Sequence, residues 1–142
     1  MVPMPERSLR NCHVLIAEDE FMVAESLRHE LEDVGAIVVG PCATLEQTLA
    51  EIASEGERID GAVLDVNLAE HAVYPAADML AERGIPFVFT TGYDASNLPP
   101  RFANVLRCEK PISMSRVARA VGEAMFAKLP PGGKGAAGSP PP

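Results

Sequence analysis

What the chain lacks narrows its class first. It is short of positive charge: 12 Lys and Arg face 20 Asp and Glu, for a formal net charge of −8. Nucleic-acid binding rests on neutralising phosphates, so this balance argues against a general affinity for nucleic acid and against adhesion to anionic membrane surfaces. No apolar run approaches the ~20 residues that span a bilayer. Met1 to Arg10 is polar and contains proline, without the apolar core of a signal peptide, so the expected location is the cytoplasm. Cysteine is scarce and scattered. Cys12, Cys42 and Cys108 lie on separate apolar segments and read as buried free thiols in a reducing compartment. With His13, His29 and His71 they form no zinc spacing. There are no internal repeats, no glycine-rich phosphate cradle after the first apolar run, and no nucleophile–base pair, which disfavours a hydrolase or a flavodoxin-like cofactor binder.

What is there is a core. Of 142 residues, 47% are apolar, enough for one globular domain. Residues 1–11 read as a flexible N-terminal arm, 12–127 as the folded domain, and 128–142, rich in Pro and Gly, as a disordered tail. Within the domain, strand and helix alternate. Cys12–Ala17 is a buried strand, followed by a helix with Val23, Leu27, Leu31 and Val34 one turn apart. Asp19 is placed to cap that helix and Gly35 to end it. Ala36–Gly40 is a second buried strand. Thr44 and Gln47 form a capping-box pattern before a second helix, which Gly56 closes. Asp60–Leu68 carries the third strand, an apolar run broken by Asp65. A loop over Val66–Glu70 then leads to a helix near His71–Arg83. Pro86–Thr90 and Asn104–Cys108 are the fourth and fifth strands, and Met114, Val117, Val121 and Met125 mark a last helix. Between the last two strands Pro99-Pro100 leaves room for a turn or two of helix at most. This alternation predicts an α/β fold with a parallel, doubly wound sheet.

In such a sheet, ligands bind at the carboxyl edge of the strands. Glu18 and Asp19 follow the first strand, Asp65 ends the third, Thr91 follows the fourth and Lys110 the fifth. Three carboxylates, a hydroxyl and an ammonium therefore converge. Crowded carboxylates repel one another, and a hard divalent cation such as Mg²⁺ relieves the repulsion. An aspartate is a competent nucleophile for phosphoryl transfer, and the cation, Lys110 and the Thr91 hydroxyl would neutralise the phosphoryl oxygens.

Four strings in order, I-A-E-D-E (Ile16 to Glu20), L-D-V-N (Leu64 to Asn67), T-T-G (Thr90 to Gly92) and E-K-P (Glu109 to Pro111), make the stretch from Cys12 to Phe126 resemble a two-component response regulator receiver domain. The resemblance implies a flavodoxin-like sheet of order 2-1-3-4-5, with Asp65 as phosphoacceptor and Thr91 and Lys110 on the phosphoryl group. It implies Mg²⁺ held by Glu18, Asp19, Asp65 and the Asn67 carbonyl, and a cis Lys110–Pro111 bond. Three departures stand out. Ala69 stands where the family usually has proline, Arg107 stands at the position of its switch aromatic, and the fourth helix is shortened or disordered. F-T-T-G-Y (Phe89 to Tyr93) resembles an alphaproteobacterial single-domain subgroup with an F-A-T-G-Y motif. By that resemblance the chain is a stand-alone receiver, a monomer or weak dimer. It would accept a phosphoryl group from a sensor histidine kinase, HWE-type among them, or from a histidine phosphotransfer protein. It would serve as phosphorelay intermediate, phosphate sink or partner-binding switch, catalysing only its own phosphorylation and dephosphorylation. The competing reading is a phosphorylation-independent interaction module with a relic acidic pocket.

Overall fold

The computed structural model describes residues 9–92, 98–110 and 113–128. In chain order they form β1 (His13–Ala17), α1 (Phe21–Asp33), β2 (Ile37–Cys42), α2 (Leu45–Glu55), β3 (Gly61–Asp65), β4 (Asn67–Leu68), β5 (His71–Ala72), α3 (Tyr74–Glu82), β6 (Phe87–Thr91), β7 (Arg107–Glu109) and α4 (Met114–Lys128). The main sheet has the order β2-β1-β3-β6-β7, and every neighbouring pair is parallel. Counting those five strands alone, the order is the anticipated 2-1-3-4-5.

Strand alternation divides the core in two. Leu15, Leu64 and Phe89 face α2 and α3, where Ile52, Ala76 and Leu80 meet them. Val14, Ile16, Val63 and Val88 face α1 and α4, meeting Leu27, Leu31, Val117 and Val121. β3 is buried along its whole length, as its unbroken apolar run requires. Leu9 is also buried, its N–H donating to the Val34 carbonyl at 2.9 Å, so the packed unit reaches back into the segment read as an arm.

Helix ends follow local chemistry. Thr44 Oγ1 accepts from the Gln47 N–H at 3.0 Å, and Gln47 Oε1 accepts from the Ala43 N–H at 2.9 Å, a capping box displaced by one residue on its return arm. α1 closes with Gly35 at φ +98°, where Gly35 and Ala36 donate to Glu32 and Leu31.

Four expectations need correcting. Asp19 does not cap α1: Glu20 stands at the cap without a side-chain bond, because the Asp19 carboxylate is turned toward Ala69. The stretch read as a loop after Asp65 forms the antiparallel hairpin β4–β5. α3 consequently begins at Tyr74 rather than His71, with Pro75 in its first turn, where a missing N–H costs nothing. β2 is an edge strand with Ile37 exposed, not a buried one. Between β6 and β7 the described residues hold a single 3₁₀ turn, Pro100–Phe102. Tyr93 and Pro111, with the Lys110–Pro111 bond, lie outside the described residues.

Candidate functional site

The strand ends deliver the site. β1 ends at Ala17, so Glu18 and Asp19 leave the sheet together. β2 helps to aim them: its pairing with β1 slips between Leu15 and Ala17, and past the slip the Glu18 N–H donates to the Cys42 carbonyl at 2.9 Å. The slip needs Gly40, which sits at φ +95°. A Cβ there would lie 2.7 Å from the Cys42 nitrogen and 3.0 Å from the Ile16 carbonyl oxygen. At the other strands, Asp65 stands level with Thr90 and Thr91 level with Glu109, and the Lys110 N–H donates to the Thr91 carbonyl at 2.7 Å.

Lys110 ties the centre together. Its Nζ lies 3.0 Å from Asp65 Oδ2 and 3.1 Å from Glu18 Oε1. The Asn67 N–H donates to Asp65 Oδ1 at 3.3 Å, and the Glu20 N–H to Glu18 Oε2 at 3.0 Å. Asp65 and Glu18 are buried polar groups, whereas Asp19 is exposed and accepts from the Ala69 N–H at 3.0 Å. Burial pushes the Glu18 carboxyl up to about 7; the Glu20 N–H opposes this, the Asp65 charge adds to it, and Lys110 opposes it again. Burial lowers the Lys110 ammonium, but the Asp65 and Glu18 carboxylates outweigh that and hold it above its ordinary value.

Two features test the fit of a hard cation and a phosphoryl group. Glu18, Asp19 and Asp65 each offer a carboxylate oxygen, all within 4.8 Å of one another. That is the charge and donor type Mg²⁺ takes. The Thr91 hydroxyl is buried, and its Oγ1 has no partner among the described residues. A buried hydroxyl in that state is suited to meet an incoming oxygen. Every site residue anticipated from the sequence is thus at this edge. Two contributors were missed: the backbone amides of Glu20 and Ala69, which carry no side-chain signal. Arg107 is exposed on β7.

No family model matches the chain. Among solved structures, it is similar to SdrG from Sphingomonas melonis Fr1, at 36% identity over 82% of this chain and 97% of that one, with a TM-score of 0.64. It is also similar to a response regulator receiver protein from Sinorhizobium medicae WSM419, at 25% identity over 85% of this chain and 99% of that one, with a TM-score of 0.73. The chain belongs to the response regulator receiver family. This receiver also matches the phyllosphere-induced regulator PhyR of Methylorubrum extorquens, at 30% identity over 121 residues, 80% of this chain. It spans 43% of that curated relative's length. Its fold is that of a response regulator receiver domain. Among the described residues no helix is long and apolar enough to cross a membrane.

Proposed function

We propose that this receiver accepts a phosphoryl group on Asp65 from a phosphohistidine, with Mg²⁺ held by Glu18, Asp19, Asp65 and the Asn67 carbonyl. The observation that carries the reading is the Lys110 ammonium bridging Asp65 and Glu18 while Asp19 completes a trio of hard oxygens. Bound Mg²⁺ would supply charge neutralisation for the transferred oxygens. The protein's own groups do the rest. Asp65 offers its carboxylate as nucleophile, fixed by the Asn67 N–H. Lys110 is already beside that carboxylate and can shift to a phosphoryl oxygen. Thr91 can donate its unsatisfied hydroxyl to another.

The donor is a protein: a sensor histidine kinase, HWE-type in this proposal, or a phosphotransfer protein. Phe21 and Met22, 72% and 73% exposed at the start of α1, give such a partner an apolar foothold next to the acids. Output would be transfer onward or binding of a partner, a role that similarity to a regulator supports. The test is transfer of labelled phosphate from a phosphohistidine donor in Mg²⁺. Base-labile label is expected on the parent and none on Asp65→Ala. Label retained on Asp65→Ala would move the acceptor elsewhere.

A further inference from the structure

Ala69 breaks a local rule at the rim of the acid cluster. It is a non-glycine residue at φ +56°, in a region unfavourable to side chains. It opens the two-residue connection of the hairpin, since Leu68 pairs with His71. In return, its N–H reaches Asp19 Oδ2 at 3.0 Å, across fifty residues of sequence. A proline at this position would have no N–H to give.

The three acids are held differently. Glu18 and Asp65 are buried and gripped by Lys110. Asp19 is exposed, and an exposed aspartate free to rotate would lose entropy on meeting an ion. A carboxylate that accepts one N–H keeps lone pairs for a cation. We propose that the Ala69 amide is a positioning donor: through the β4–β5 hairpin it holds the Asp19 carboxylate toward Glu18 and Asp65, so that a divalent cation meets a preformed trio. The inference rests on the metal reading above. It gives the left-handed turn at Ala69 a role at the acid cluster.

Replacing Ala69 by lactic acid in the full chain, through a backbone ester, deletes the N–H and keeps the methyl group. Mg²⁺ affinity is read by calorimetry and the thermal midpoint in EDTA. Loss of an outer partner of a ligand costs about tenfold in metal affinity at the low end, and that weakening is expected of the ester, with little change in the midpoint. Ala69→Gly keeps the N–H and is expected to bind Mg²⁺ as the parent does. An ester with parental affinity overturns the proposal, even if its midpoint falls. So does an Ala69→Gly variant as weak as the ester. A parent that binds no Mg²⁺ overturns the metal reading itself and takes this inference with it.

Discussion

Thr91 is 1% exposed and its buried hydroxyl is bonded to no described residue, an arrangement that costs the resting protein stability. Valine has nearly the same shape without the polar atom. Thr91→Val is therefore expected to raise the stability of the metal-free protein by about 1 kcal/mol in denaturant unfolding, while slowing or abolishing phosphoryl uptake. A fall in stability would mean that the hydroxyl has a resting partner. Lys110 poses the opposite case. Its ammonium neutralises two buried carboxylates, so Lys110→Ala is expected to cost about 2 kcal/mol in the metal-free protein. It should leave Mg²⁺ affinity intact or improved, because a competing cation has gone. Loss of Mg²⁺ binding in calorimetry would instead make Lys110 a support of the metal site. At this scale the sequence is informative wherever an ionisable or hydroxyl side chain carries the contact: Glu18, Asp19, Asp65, Thr91 and Lys110 could all be picked out. It is silent where a backbone amide does the same job, as at Glu20 and Ala69.

At the scale of elements, two devices stand behind the site. The slip in β2 depends on Gly40, and a Cβ there would meet backbone rather than a yielding side chain. Gly40→Ala is expected to destabilise by about 1–3 kcal/mol and to disturb Glu18. Unchanged midpoints in thermal melts would show that the strand can re-register. The second device is the 3₁₀ turn Pro100–Phe102 before β7. Phe102 is buried against Tyr74, Phe87 and Phe89, with ring centroids 5.5, 6.2 and 5.4 Å away. Arg101 lies over the Phe102 ring and pairs with Asp78 on α3 at 2.8 and 2.9 Å. Phe102→Ala is expected to cost about 3–5 kcal/mol, the range for deleting a buried aromatic ring. The turn at Pro100–Phe102 is consistent with Pro99-Pro100, but the aromatic cluster that anchors it was not legible, since those rings come from three separate segments. The hairpin was illegible for a related reason. Its strands are two residues each, too short to show a period, and its pairing is visible only once β3 and α3 have set its ends.

For the molecule as a whole, the parallel sheet makes the site possible. It brings the ends of β1, β3, β6 and β7 to one edge, and with them an ammonium amid three acids in a chain of net charge −8. The parallel, doubly wound sheet was legible because apolar runs and helix-ending glycines alternate along the chain, whereas its strand order followed only from the resemblance to receiver domains. Acids crowded this way repel in the folded state, so a cation that binds only that state stabilises it by mass action, by about 2.7 kcal/mol at a hundredfold excess over Kd. Intact mass after incubation with acetyl phosphate, with Mg²⁺ and with EDTA, on the parent and on Asp65→Ala, decides whether Asp65 is a cation-dependent phosphoacceptor. One added phosphoryl group is expected on the parent in Mg²⁺, none in EDTA and none on Asp65→Ala. An adduct that forms without a divalent cation, or that persists on Asp65→Ala, would contradict it.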